Sequence, residues 1–425
     1  MKTWKRRLAL VTTCGMIIVG AIIFFRQQTP TIIPTISEKD GNGEFLNTVK
    51  SVGYFREHIE NHPDNPRNYV QLAQLFIQEA RVSGKDLEYV PKAEYLLDQA
   101  INIDKTNFEA LSVQASLFAN LHQFEKAEQT ARAALAQNPY SSFAQGVLVD
   151  ALVELGRYEE AVQACDKLLA LRPDLRSYSR ASYLRELHGD LPGAIIAMTS
   201  AADAGVWGSE NRAWTLFNLG NLFLHMGKKD TAAYVYRGVL QERASYAFAL
   251  SGLAEVEISR GNYDRAISLA DSAFAAMNEH HFLEQAARVY QLLENNNKEA
   301  ELVERVLSDL EAHERHGWNI DLDYAALCAQ HRTHLEEAMK RIQRDVQRRP
   351  DHTEVLEIYA WLTHLTGQSK SAVPLIERAL RLNSLDIELH KRAEEIFRAA
   401  GENKRADREL QIMHGKSHSP SLASM

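Results

Sequence analysis

The sequence predicts an all-α protein: a solenoid of about ten helix-turn-helix units, preceded by one N-terminal transmembrane helix. Two observations carry the solenoid, an alanine that recurs about every 34 residues and apolar residues at helical spacing on both sides of a glycine. A third, an uncharged apolar run behind four cations, carries the membrane helix. Composition agrees. In 425 residues there are only 21 Gly and 11 Pro, too few for the many tight turns of an all-β fold. Net charge is -8, where a nucleic-acid binder normally shows a basic stripe. Three cysteines give no disulfide framework.

Residues 1–7 hold Lys2, Lys5, Arg6 and Arg7 and should stay cytoplasmic. Leu8–Phe25 follows as the anchor, about 27 Å of helix against a hydrocarbon core of about 30 Å. A cleaved signal peptide ending at Val19-Gly20-Ala21 is the rival reading, which would leave a secreted or periplasmic protein. Ile22, Ile23, Phe24 and Phe25 extend the apolar run and favour a retained anchor. A lipoprotein reading through Cys14 fits poorly, because Thr13 precedes it and the apolar run continues past it. Residues 26–43, rich in Pro, Thr and Gly, read as a tether, and 44–64 as a lone capping helix.

The ladder consists of Ala93, Ala127, Ala161, Ala194, Ala232, Ala266, Ala300, Ala338, Ala372 and Ala406, spaced 34, 34, 33, 38, 34, 34, 38, 34 and 34. Gly156, Gly227, Gly261, Gly367 and Gly401 each precede a ladder alanine by five residues, and Pro139, Pro173 and Pro350 follow one by twelve. Leu216, Leu219, Gly220 and Phe223 share one helical face, and Ala232, Tyr236 and Val239 share another beyond Gly227. A small residue on each helix lets two antiparallel backbones approach; a larger one would overpack at about 1–3 kcal/mol. Glycine ends the first helix by taking the left-handed conformation, and proline stops the second. Such hairpins should bury their apolar sides against one another alone and present a long curved surface.

The segments "LFNLGNLFLHMGKKDTAAYVY" (216–236) and "LVDALVELGRYEEAVQACDKLLALRPD" (148–174) resemble the tetratricopeptide repeat, and the likeness extends over about residues 65–412. It implies a right-handed superhelix with the first helices lining the concave face. "RSYSRASYLRELHGDLPGAI" (176–195), "AWTLFNLGNLF" (213–223) and "NIDLDYAALCAQH" (319–331) further resemble a widespread group of bacterial membrane-anchored or secreted repeat proteins, which implies an architecture and no catalytic residue. On this beat, units one to four occupy 65–205, units five to seven 206–311 and units eight to ten 312–412, with a disordered tail at 413–425. The beat breaks at Ser83–Asp86, at Ala204–Ser209 and at Ala312–Trp318, where the chain could bend or carry a functional loop.

No phosphate loop, dinucleotide fingerprint or nucleophile elbow occurs, so no catalytic residue, cofactor or small-molecule substrate is expected. A remote alternative is a metal-dependent hydrolase using His313, His316, Asp321, His331 and His334. Cys165 and Cys328 read as buried and inert. Lys340, Arg341, Arg344, Arg348 and Arg349 read as a basic helix surface, with Glu336 and Glu337 at the other end complementing the dipole. Arg180, Arg185 and His188 likewise read as a solvated face.

The groove is the better candidate. The implied concave positions include Arg176, Tyr183, Trp214, Phe217, Asn221, Phe248, Glu255, Phe282, Asp323 and Trp361, a mixture of aromatic and polar groups suited to an extended peptide or a partner helix. Each aromatic could instead pack between neighbouring units. A clamp for a C-terminal carboxylate does not fit, since Phe248 and Phe282 stand where cations would be needed. The sequence therefore describes a non-enzymatic, membrane-anchored scaffold binding protein or peptide partners outside the cytoplasm; the alternative is an accessory or regulatory subunit of an envelope enzyme.

Overall fold

The computed structural model describes residues 48–415, which lie within one compact unit, Ser37–Met425. The expected membrane helix, its tether, residues 44–47 of the capping helix and the tail from residue 416 fall outside the described residues. None of the described helices is long and apolar enough to cross a membrane.

All regular structure among the described residues is helical. Thr48–Asn61 caps the stack, and ten antiparallel hairpins follow. Units one to five pair Pro66–Ser83 with Asp86–Ile103, Phe108–Asn120 with Phe124–Gln137, Ser142–Glu154 with Tyr158–Leu171, Leu175–Leu187 with Leu191–Asp203, and Glu210–His225 with Lys229–Glu242. Units six to ten pair Ala247–Ser259 with Tyr263–Ala276, His280–Leu292 with Asn296–Arg315, Asp321–His331 with Leu335–Arg348, Thr353–Leu365 with Ser369–Ala379, and Ile387–Ala399 with Asn403–Met413.

Local chemistry sets the ends. Asn107, Ser141, Ser209 and Asp386 each accept a backbone N–H of the first turn they cap. Gly156, Gly227, Gly261, Gly367 and Gly401 all take positive φ between hairpin helices. In unit two His122 holds this position, at φ 55. The extra residues of unit one lengthen both of its helices to 18 residues instead of forming a loop. The expected break at Ala312–Trp318 begins late: nothing stops the helix before Arg315, and Gly317 at φ 97 makes the turn.

Nine ladder alanines are fully buried. Ala300 is the exception and faces solvent. The connection from unit six into unit seven, residues 277–279, is three residues long where most connections have four, so the second helix starts one residue early, at Asn296, and its fourth position falls on Glu299. One residue is 100° of rotation, which turns Ala300 outward. The Glu299 carboxylate is held by His331 Nδ1 at 2.7 Å. Between units five and six the ring of Tyr236 is wedged against Gly220 and Gly252; a Cβ on Gly252 would lie 2.6 Å from it. Its hydroxyl donates to Asn221 Oδ1 at 2.6 Å.

The stack does not stay open. Units six apart touch, so the superhelix closes one turn on the next. The unit-two turn meets the start of unit eight: Asn319 N–H donates to Leu121 O at 2.9 Å, and Gln123 Nε2 donates to Gly317 O at 2.7 Å. Gly156 in unit three packs against the backbone of Asp351 and His352 at the start of unit nine, where a Cβ would lie 2.5 Å from Asp351 C. Beside it, Thr353 N–H donates to the Tyr158 hydroxyl at 3.1 Å. Gly84 faces Met277 and Glu279, and Gly189 faces Asn383, in the same relation. The expectation of contacts between neighbours alone is thus corrected. A small rotation per hairpin, repeated six times, returns the chain to its own surface.

A polar lumen lined by the first helices

Closure turns the concave face into a lumen with two cavities, of about 1130 Å³ and 440 Å³. The larger is walled by the first helices of units one to five, with Gln71, Gln74, Gln78, Ser112, Asn120 and Asn218 presenting amides and hydroxyls. The smaller lies between units four and five and the first helices of units nine and ten. Tyr183, Glu186 and Asn218 line both.

Four of the expected groove residues line these cavities: Arg176, Tyr183 and Trp214 the larger, Tyr183 and Asn221 the smaller. Tyr183 is 44 % exposed and Trp214 41 %. Arg176 lies 5.6 Å from the Phe143 ring centroid. Others do not line the cavities. Phe282 is 0 % exposed and Trp361 is buried, stacked on His364 at 5.0 Å. Phe217 and Phe248 are half-buried with Trp214 in one aromatic cluster, Trp214 meeting Phe248 edge-on at 4.9 Å. These rings bind unit five to units six and seven, the packing alternative the sequence left open. Asn221 reaches the smaller cavity, but its Oδ1 is taken by Tyr236. Glu255 accepts from Gln285 Nε2 at 2.6 Å and pairs with Arg288. Asp323 pairs with His122 at 3.4 Å.

The five candidate metal ligands are not gathered into a site. Asp321 is enclosed by Arg341, Arg344 and Arg348, with Arg344 and Arg348 at 2.6 Å. Burial opposes its ionisation, but these guanidiniums hold its carboxyl below the usual range. His331 is bound to Glu299 and His334 to Glu304, while His313 and His316 face backbone carbonyls of their own helix. The described residues hold no group of three His, Cys, Asp or Glu able to take a metal ion.

Of the expected solvated basic faces, Lys340, Arg344, Arg348, Arg185 and His188 are exposed, but Arg341 and Arg349 are buried and Arg180 is half-buried. Arg349 is 4 % exposed, pairs with the fully buried Asp345, and reaches Glu154 Oε2 at 3.2 Å. Arg180 bridges Asp150, at 2.5 Å, and Gly146 O, at 3.1 Å. Burial pushes the Cys165 thiol up to about 11 and Cys328 to about 12, so both are unreactive at neutral pH.

Electrostatics distinguish the far wall. Burial raises Glu354 to about 8, with Glu357, Glu154 and Asp323 adding like-charge repulsion. Glu354 has no hydrogen-bond or ion-pair partner among the described residues. Burial also raises Glu284 and Glu357 to about 7. The sequence pattern did not single out His122, Glu154 and Glu354, and it read Arg349 as part of a helix surface. One signal was available for the first of these: a histidine stands where the beat elsewhere places glycine.

Paired helices stacked into a superhelix around a polar lumen define an α-solenoid. The chain carries tetratricopeptide repeats. Family profiles described as tetratricopeptide repeat match residues 120–185 and 217–280. Human IFIT1, solved as a dimer with m7Gppp-AAAA, is similar at 15 % identity over 75 % of this chain and 72 % of that one, with a TM-score of 0.50, which shows the fold. A tetratricopeptide repeat protein from Parabacteroides merdae aligns at 19 % identity over 58 % of this chain and 95 % of that one, TM-score 0.34. Pseudomonas aeruginosa pilF aligns at 17 % over 57 % and 90 %, TM-score 0.30. No curated protein matches the chain.

Proposed function

We propose that this protein is a non-enzymatic scaffold that holds an extended segment of a partner protein in its lumen. The observation that carries this is a wall of amides, of which Gln71, Gln74, Gln78 and Asn120 have no hydrogen-bond partner among the described residues, beside two exposed aromatic rings, Tyr183 and Trp214, inside a closed superhelix. Side-chain amides both donate and accept, which suits a peptide backbone, and aromatic anchors contribute most of the binding energy at such surfaces. The repeat family favours the same reading.

Leu8–Phe25 would tether the scaffold to the membrane with Lys2, Lys5, Arg6 and Arg7 on the cytoplasmic side, placing the lumen outside the cytoplasm. There it would serve as a general adaptor or as the recruiting subunit of an envelope enzyme; fixed stoichiometry with a co-purifying enzyme would select the latter. The likeness to IFIT1 does not transfer its RNA ligand, because the lumen is rich in carboxylates, which repel a phosphodiester backbone.

The test places a photo-crosslinking side chain at Trp214 of the full-length chain in its native membranes. A specific partner band is expected there and none from Tyr234, which is exposed on a second helix away from the lumen. Equal labelling from both positions would remove the lumen as the binding surface.

A further inference from the structure

The charge of the chain is concentrated where a partner would lie. Ten acidic side chains and only four arginines line the two cavities. Of those arginines, Arg180 is already paired with Asp150, Arg81 with Glu210, and Arg392 with Glu357. The imbalance is sharpest around Tyr183, the residue at which the cavities meet. Glu154 from unit three and Glu186 from unit four line the larger cavity with it, and Glu186 and Glu354, the latter from unit nine, line the smaller. These three elements converge only because the superhelix closes. Glu154 is drawn toward Arg349 and Glu186 toward His225, leaving Glu354 as the unpaired member.

An exposed aromatic ring with carboxylates around its rim is a receptor for an organic cation. The ring face attracts the cation through its quadrupole, and the carboxylates accept its N–H groups. A guanidinium fits better than an ammonium, since it is planar, stacks on a ring and donates in several directions at once. The cavities are together larger than a single side chain fills, and polar amides extend away from Tyr183 along the first helices of units one, two and five.

We propose that the lumen recognises an extended, arginine-bearing segment, whose guanidinium seats on the Tyr183 ring between Glu154, Glu186 and Glu354. This rests on the reading of the lumen as the partner-binding surface and adds the chemistry of the partner. Binding draws the Glu354 proton off, because a cation beside the carboxylate favours its ionised form. Affinity therefore weakens as salt screens the charges.

The test is calorimetric titration of the full chain with three synthetic nonapeptides in which glycine alternates with arginine, glutamine or glutamate. The arginine peptide is expected to bind about tenfold or more tighter than the glutamine peptide, and the glutamate peptide not to bind. Glu354→Gln alone, and combined with Tyr183→Ala, should weaken the arginine peptide progressively while the melting temperature holds; both side chains line the cavities and lie outside the packed interfaces between helices, so folding is preserved. Equal affinity for the arginine and glutamine peptides would overturn the proposal yet leave the lumen as a peptide site. Unchanged binding in the double variant would also overturn it. Free arginine amide binding as tightly as the peptide would overturn the extended-segment part. Failure of the scaffold reading itself is seen separately, as loss of specific crosslinking at Trp214.

Discussion

The Arg349 guanidinium lies 3.2 Å from the Glu154 carboxylate, although 195 residues separate them. Arg349 also holds the fully buried Asp345 and lies 5.1 Å from the Phe124 ring centroid, so one side chain joins units two, three and eight. Removing one partner of a buried pair strands the other charge. Arg349→Met is expected to cost about 3–5 kcal/mol in urea unfolding, because buried Asp345 keeps only the longer Arg348 contact at 3.4 Å. Glu154→Gln keeps an acceptor for Arg349 and should cost less than about 1.5 kcal/mol. Equal losses would mean that the contact across the turn, not the Asp345 pair, dominates.

Glycines at the same place in two hairpins should behave differently. Gly156 and Gly227 both have φ 73, but a side chain at Gly156 meets the backbone of Asp351 and His352, whereas nothing lies within 4 Å of Gly227. Gly227→Ala is expected to cost about 1–2 kcal/mol of backbone strain and leave molecular dimensions unchanged. Gly156→Ala should pay the same strain and also part the turns, seen as a larger radius of gyration in solution scattering.

Tyr236 offers a packing test away from the closure. Gly252→Ala would push its methyl into the Tyr236 ring. Overpacking here predicts a loss of about 1–3 kcal/mol. Combining it with Tyr236→Leu should cost less than the sum of the two changes, since the smaller side chain vacates the space; calorimetric melting of the three variants checks this.

Stability should rise as pH falls from about 8.5 to about 6.5. Burial raises Glu279, Glu284 and Glu357 to about 7 and Glu354 to about 8, so over this range the folded chain binds protons the unfolded chain does not. His122 acts in the same direction: burial opposes its charge, but Asp323 outweighs burial and raises its pKa. Its stabilisation is complete below the unfolded histidine value and is lost as pH rises through the folded one. At lower pH the sign reverses. Burial depresses His352 to about 3 and lowers His280 and His281, so protonating them favours unfolding. A melting-temperature maximum near pH 6 is expected, and Glu354→Gln should flatten the alkaline limb.

The beat of alanine, glycine and proline made the hairpins legible, because each reports a local requirement: close approach, a left-handed turn, a stop. Ala300 shows the limit. A connection one residue shorter ahead of the hairpin shifted the beat and passed the position to Glu299, which composition cannot reveal. Trp214 and Phe282 share the same expected face, yet one borders the lumen and the other is sealed between units, since helical spacing alone does not separate groove from interface. Closure was the least legible feature. It is the sum of small rotations over six units, and no local window of sequence carries that sum.

Amide hydrogen exchange at Asn319 tests the closed superhelix most directly. Its N–H lies in a loop and is bonded to Leu121 O on the preceding turn, at 2.9 Å. Closure predicts exchange at least about a hundredfold slower than for an unstructured chain, with protection lost in Gly156→Ala. Exchange at the unstructured rate in the native protein, while the helices stay protected, would show that the turns do not meet and that no closed lumen exists.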